Sequence, residues 1–284
     1  MDHRKEYAVE KMCRTFNVAR NSFYEWKKEK QLKLAQQRAI LLKEIKTVHE
    51  LSNGTYGSPR ITLDLRKKGF AVSRPRVARI MKDHGIRSVV SKKFKVCTTD
   101  SNHGFSISPN VLDRSFKPES PSKSWVSDIT YIRTNEAWLY LTMIMDLYDR
   151  KIIGWSMSTS MHAYETVVPA WRMALINRPV FQELVFHSDR GVQYACKEFR
   201  DELGKLNVTQ SMSRKGNCWD NAVAESFFKT LKSETGYRKY ESIKQAKKGL
   251  FEYIEIWYNR TRRHSSLGYL SPEEFYNIHR KSAA

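Results

Sequence analysis

Three acidic residues occupy positions where an acid needs a reason. Asp128 interrupts the apolar stretch Trp125-Val126-Ser127-Asp128-Ile129-Thr130-Tyr131. Asp189 follows a short apolar run, in His187-Ser188-Asp189-Arg190-Gly191. Glu225 lies in Asn221-Ala222-Val223-Ala224-Glu225-Ser226-Phe227-Phe228, among mostly apolar neighbours. An acid in an apolar segment must find a partner. Three carboxylates gathered without a cation repel one another, whereas an all-oxygen set suits a hard divalent ion, Mg²⁺ or Mn²⁺. Two such ions, roughly 3.5–4 Å apart, would clamp the attacking and leaving oxygens of an in-line phosphoryl displacement. No covalent protein nucleophile is then required, and water or a DNA 3′-hydroxyl can attack directly. The expected metal ligands and catalytic residues are therefore Asp128, Asp189 and Glu225.

Each acid alone is weak evidence, since a lone Asp in a strand is more often a local structural partner. The order and spacing carry more weight, with 35 residues between Asp189 and Glu225. Lys229 and Lys232 follow Glu225 by four and seven places, on the same helical face. They would point toward a phosphate held at the acids. The Glu225–Lys229 spacing is also that of an ordinary surface ion pair, worth only ~0.2–0.5 kcal/mol.

The elements that must position these acids can be read from the apolar pattern. Ser124–Arg133, Leu139–Asp146 and Ile152–Ser158 read as a three-strand meander, with a turn at Thr134-Asn135-Glu136. A helix follows at 163–177, then a short strand Leu184–His187, a helix at 196–206, a strand Val208–Met212 and a helix at 219–235. The order βββαβαβα predicts an α/β core with a mixed five-stranded sheet and flanking helices. It is the element order of the RNase H-like fold, an analogy of architecture rather than of function. If the first and fourth strands are neighbours, Asp128 and Asp189 meet at their ends, where ligands collect in such sheets. The last helix then brings Glu225 over the same spot.

Charge points to a second part of the chain. Among 284 residues, 50 Lys and Arg face 30 Asp and Glu, a net charge of +20. Residues 1–123 hold 27 of the basic and only 12 of the acidic ones. A basic arm ahead of a near-balanced domain is what a polyanion-binding module on a catalytic core would look like, although a solvated basic surface has the same composition. Residues 1–30 read as part of a helix-turn-helix. Residues 31–87 read as a helical, helix-turn-helix-like DNA-binding module. There Ser58-Pro59 starts one helix and Gly69 closes it, and Ser73 caps a second that Gly85 ends. That second helix carries Arg74, Arg76 and Arg79, with Lys82, as a helix tracking a phosphate backbone would. Residues 88–123 read as a basic linker, with Lys92, Lys93 and Lys95 at its start. The catalytic core is expected at 124–238 and a C-terminal helical extension at 239–284, whose last helix starts at the capping box Ser271-Pro272-Glu273-Glu274. Arg260, Arg262, Arg263 and His264 form a basic cluster there that would hold DNA or simply line a solvated turn. Of the aromatic residues, Tyr164 and Trp171 read as core, and Trp219 as a base contact or a packing residue. His187 would orient an acid or the DNA, or pack at a strand end.

Cys13, Cys97, Cys196 and Cys218 are far apart and form no CxxC pair, so neither a structural zinc nor a disulfide framework is expected. No apolar run approaches the ~18–20 residues that span a bilayer, and the charged N-terminus is unlike a signal peptide. A cytoplasmic protein without a membrane partner is expected.

The motifs Trp125-x-x-Asp128-Ile129-Thr130-Tyr131, His187-Ser188-Asp189-Arg190-Gly191 and Asn217-x-x-x-Asn221-Ala222-x-x-Glu225-Ser226-Phe227-Phe228-Lys229-x-x-Lys232 resemble a DDE integrase core. Tyr258-Asn259-x-x-Arg262-x-His264-Ser265-x-Leu267-Gly268-Tyr269-x-Ser271-Pro272 resembles its C-terminal extension, and Tyr56-Gly57-Ser58-Pro59-Arg60-Ile61 its upstream helix-turn-helix module. Together, over nearly the whole chain, they resemble the OrfB-type transposases of bacterial insertion sequences, in the large family named for insertion sequence three. The resemblance implies a Mg²⁺-dependent enzyme that nicks one end of an element, joins the freed 3′-hydroxyl to the other end, and later inserts a circular intermediate into target DNA. It implies a homo-oligomer on paired terminal inverted repeats and an upstream OrfA-type frame product as a possible fusion partner. Two other readings stay open. A retroviral-type integrase would carry an N-terminal His/Cys zinc signature, which is missing, and an RNase H would lack the basic helical arm. A non-catalytic DNA-binding regulator would have no use for three intact acids.

Overall fold

The computed structural model of the chain describes residues 7–89, 104–180, 183–235 and 240–281. It divides into two units, Met1–Val89 and Val90–Ala284.

In the second unit five strands form one sheet in the order β3-β2-β1-β4-β5. β1 (Ser124–Arg133), β2 (Trp138–Asp146) and β3 (Ile152–Ser158) form the antiparallel meander. β4 (Val185–Ser188) and β5 (Thr209–Met212) run parallel to β1. This is the RNase H-like arrangement, with the first and fourth strands adjacent. Successive side chains of a strand point to opposite faces, and β1 uses both. Val126 and Ile132 enter one core, beneath α8 (Ala222–Glu234) and α9 (Ile243–Phe251). Trp125 and Ile129 enter the other, beneath α5 (Val167–Asn177), α6 (Val192–Ala195) and α7 (Lys197–Gly204). Contact between α5 and β3 is close enough that a Cβ added at Gly154 would lie 2.2 Å from the Ala170 carbonyl oxygen.

Among its described residues the first unit is helical: α1 (Val9–Thr15), α2 (Arg20–Leu51), α3 (Ser58–Lys67) and α4 (Arg74–Asp83). A small core of Leu41, Ile45, Val48, Ile61, Leu65, Val77, Ile80 and Met81 joins the last three. Ser73 caps α4 by accepting the Arg76 N–H. At α3 the cap is Gly57, with Ser58 already helical. Gly69 and Gly85 follow the ends of α3 and α4 with φ of 88° and 66°, left-handed values that glycine adopts without a Cβ penalty. α2 is a single helix of 32 residues, so the boundary expected at residue 30 falls inside a continuous element. No Gly or Pro interrupts it, and its buried residues, Leu41, Ile45 and Val48, all lie in its second half.

Two further boundaries are corrected. Residues 104–123 do not act as a free linker: the Val111 and Leu112 N–H groups donate to Ser211 Oγ on β5, and Leu112 is buried in the first core. Lys92, Lys93 and Lys95 lie outside the described residues. The C-terminal residues share the core of the sheet rather than forming a separate extension. After α9 the chain widens into a π-helical run, Glu252–Thr261, whose Tyr253, Ile254 and Tyr258 pack on that core. α10 (Pro272–Lys281) starts at the expected capping box, with Ser271 and Glu274 bonded reciprocally. Among the described residues, no helix is long and apolar enough to cross a membrane.

Candidate active site

β1 and β4 pair through Val126 and His187. Asp128 and Asp189 each lie two residues beyond that pair, on neighbouring parallel chains and on the same side. Both are half-buried. The Asp128 carboxylate accepts the Ile129 N–H at 2.8 Å and that of Asp189 accepts the Gly191 N–H at 2.9 Å. A Cβ at Gly191 would stand 3.0 Å from Asp189 Oδ1, so glycine keeps that turn clear. Glu225 comes from the first turn of α8, where the helix dipole favours an anion. Ala224, Phe227, Phe228 and Leu231 bury the helix on the sheet, and Glu225 stays on its exposed side.

The three carboxyls act on one another. Burial, and then the charge of Asp189, push Asp128 well above the usual carboxylate range, with Glu225 adding to the rise. Burial and Asp189 raise Glu225 in the same way. Contrary to the expectation of acids without a cationic neighbour, Lys232 opposes the rise at Asp128. Burial in turn lowers the Lys232 ammonium. Lys229 is exposed on the same helix. Among the described residues, no three His, Cys, Asp or Glu side chains are grouped closely enough to hold a metal ion as they stand.

Several groups around the acids escaped sequence reasoning. Tyr194, five residues after Asp189, is 1% exposed, and its hydroxyl lies 2.8 Å from Ser127 Oγ. Burial and the charges of Asp189 and Asp128 hold that phenol well above its ordinary value, so it stays neutral. Before α8, the buried Asp220 takes Arg214 at 2.8 Å and Arg114 at 2.9 Å. Arg214 above all holds that carboxyl below the usual range. No local pattern announces this pair, because Arg114 and Asp220 are 106 residues apart. Trp219, beside it, is 68% exposed and makes no core contribution.

Other expected site residues separate into two groups. Arg74, Arg76 and Arg79 are exposed on α4 of the first unit, and Arg260 is exposed in the second. Arg262 and Arg263 are corrected. Arg262 is buried and bonded to Glu234 at 2.9 Å, while Arg263 donates to the Tyr269 carbonyl. Both are spent on holding the chain, which leaves them unsuited to a DNA backbone. Glu234, at the end of α8, also accepts from the Tyr253 hydroxyl and the Trp257 indole. His187 is fully buried between Ser211 and Ser213 of the β5 chain, a structural bridge with its pKa lowered by burial to about 4. Trp171 is core as expected, but Tyr164 is 62% exposed.

Comparison with known proteins gives the family of the chain. A family model described as an integrase core domain matches residues 118–218, a second of the same description matches 206–272, and one described as an HTH-like domain matches 36–94. The chain is 38% identical over 278 residues to the transposase InsF for insertion sequence IS3A of Escherichia coli strain K12, covering 97% of this chain and 96% of that one. It is 39% identical over 274 residues to an uncharacterized 31 kDa protein of insertion element IS600 from Shigella sonnei, covering 96% of this chain and 100% of that one. Among solved structures, the catalytic domain of the Mos1 mariner transposase aligns with a TM-score of 0.43 at 15% identity, over 56% of this chain and 76% of that one.

Proposed function

Since the chain belongs to the transposases of the IS3 insertion-sequence family, we propose that Asp128, Asp189 and Glu225 form its divalent-metal site and carry DNA end nicking and strand transfer. The observation that carries the reading is the mutual effect of the three carboxyls, which arrive from β1, the end of β4 and α8. Three acids against one nearby lysine leave the site with more carboxylates than cations, and burial and like charge make their ionisation costly without a further cation. An all-carboxylate donor set with that surplus fits a hard cation. The three side chains would hold Mg²⁺ or Mn²⁺, two ions per site, which when bound neutralise the attacking and leaving oxygens of a phosphodiester.

The rest of the chemistry falls to the protein's own groups. Lys229, exposed four residues after Glu225, would take a phosphate oxygen and set the strand against the acids. Lys232 would balance charge at Asp128 and meet the phosphate at the inner side. In the first unit, the exposed Arg74, Arg76 and Arg79 of α4 support a salt-dependent grip on the phosphate backbone, with residues 31–87 as the DNA-binding module. Residues 124–238 then supply the reaction. Arg260 would contribute to the same grip. The partners in this reading are the terminal inverted repeats, target DNA and further copies of the chain on paired ends, with an OrfA-type frame product as a possible addition.

A strand-transfer assay with pre-cleaved element ends and Mg²⁺ tests the reading. Asp128→Ala, Asp189→Ala and Glu225→Ala should each abolish joining while DNA binding persists. Near wild-type joining by any one of them would remove it from the metal site.

A further inference from the structure

The geometry points to Tyr194, Ser127 and Asn221 as positioning residues that tie the three acid-bearing elements together at one serine. This inference rests on the reading that the acids hold divalent cations. Ser127 precedes Asp128 on β1 and is fully buried. Its Oγ donates to the Met143 carbonyl of β2 at 2.8 Å. A hydroxyl has one hydrogen, so toward Tyr194 the serine is the acceptor and the phenol, at 2.8 Å, is the donor. The chain of donation therefore runs one way, from Tyr194 through Ser127 to Met143. On its other side, the Ser127 carbonyl accepts Asn221 Nδ2 at 3.2 Å, just beyond the last β1–β4 pair at Val126. Asn221 is 3% exposed, and its Oδ1 has no hydrogen-bond partner.

Each tie reaches a different acid. Tyr194 sits on α6, five residues after Asp189. Asn221 stands at the start of α8, four residues before Glu225. Ser127 is bonded directly to Asp128. Asp189 sits past the end of its strand and Glu225 at the start of a helix, so strand pairing does not fix the two relative to Asp128. Their charges push them apart, and two hydrogen bonds meeting at Ser127 resist that push. Metal–oxygen distances tolerate only about 0.2 Å, and loss of outer hydrogen bonds around metal ligands commonly costs ~10–100-fold in affinity. Tyr194 is no proton donor in the reaction, because its only hydrogen is committed to Ser127.

Tyr194→Phe removes the hydroxyl alone and keeps the ring against Phe186 and Phe199. The probe is Mn²⁺ binding to the full, DNA-free chain, followed by titration calorimetry and manganese resonance. Joining is measured alongside as a function of Mn²⁺ concentration. The expected result is binding about tenfold weaker in Tyr194→Phe, a matching shift of the Mn²⁺ needed for half-maximal joining, and recovery of joining at high Mn²⁺. Asn221→Ala should show the same pattern and decides the matter if Tyr194→Phe does not fold. Tyr194→Phe added to Ser127→Ala should weaken binding no further, since the Tyr194–Ser127 bond it removes is already lost with the serine hydroxyl. Binding within twofold of wild type in the folded single variants overturns the inference while Asp128→Ala still abolishes Mn²⁺ binding. Equal Mn²⁺ binding by wild type and Asp128→Ala overturns the metal-site reading, and this inference falls with it.

Discussion

The ammonium of Lys232, two turns along α8 from Glu225, acts on the carboxyl of Asp128 across the gap between helix and strand. Burial works against both charges, and each partly restores the other. The balance does not close, because Asp189 and Glu225 add their own negative charge and Asp128 remains raised.

The first prediction concerns stability without metal. Asp128 has a higher pKa folded than unfolded, so its contribution is most favourable below the unfolded value near 3.8 and is lost as pH rises through the folded value. At pH 7 the unfolded chain ionises this group more readily than the folded one, so Asp128 costs stability. Asp128→Asn should therefore raise the unfolding midpoint in EDTA, by about 2–4 °C per kcal/mol relieved. Mg²⁺ or Mn²⁺ should raise the wild-type midpoint and leave the variant's unchanged. A lower midpoint for the variant in EDTA would contradict the strain assigned to these acids.

His187 gives a second, in the opposite sense. Its folded pKa of about 4 lies below the usual 6.5. The unfolded chain takes up a proton between these values and the folded one does not, so stability falls as pH drops from 6.5 to 4. The loss is up to roughly 3 kcal/mol. Urea unfolding at several pH values should show a shallower dependence in His187→Gln across that window. Parallel curves would refute the assignment.

Arg79 and Arg262 should part company. Arg79→Ala is expected to change stability by less than about 0.5 kcal/mol. It should also flatten the log–log salt dependence of DNA binding by roughly 0.9 per lost phosphate contact, as should Arg76→Ala. Arg262→Ala leaves the nearly buried Glu234 carboxylate without its cation, with only Tyr253 and Trp257 donating to it, at a cost of up to about 3–5 kcal/mol. Measured at a temperature where it stays folded, its salt slope should match wild type. A reduced slope for Arg262→Ala would return that residue to the DNA surface.

Gly154→Ala tests the packing of α5 on β3. The new methyl would meet the Ala170 carbonyl oxygen and Ala174, which are backbone and cannot swing aside. A loss of at least about 2 kcal/mol is expected from denaturant unfolding. A wild-type midpoint would mean that α5 rides more loosely than the structure has it.

Much of the sheet was legible because alternation and charge are local signals. β1 and β3 could be bounded to the residue from Ser124–Arg133 and Ile152–Ser158, while the neighbouring first and fourth strands stood only as a condition until the sheet order gave them. The three acids stood out because each contradicts its surroundings. What stayed hidden depends on distant partners. Nothing near Arg262 in the chain reveals Glu234, 28 residues earlier, so a buried brace looked like a basic patch. The boundary set at residue 30 fell inside α2, whose buried residues all lie in its second half, so its exposed first half gave no sign of continuing into it. The π-helical run was invisible because Tyr253, Ile254 and Tyr258 suit an α-helix equally well. Ser127 and Tyr194 offered no signal at all, being ordinary residues made important by what converges on them.

The carboxylate of Glu234 has consequences for the order in which the protein is made. Its three partners, Tyr253, Trp257 and Arg262, all lie downstream of it. A ribosome that has reached residue 250 has already delivered every acid of the site, but none of the groups that fasten the end of α8. The helix bearing Glu225 already packs on the sheet through Ala224, Phe227, Phe228 and Leu231, but its end is fastened only when the π-helical run and Arg262 follow. The last turn of α8 is thus braced by groups made after it, once all three acids are already in the chain.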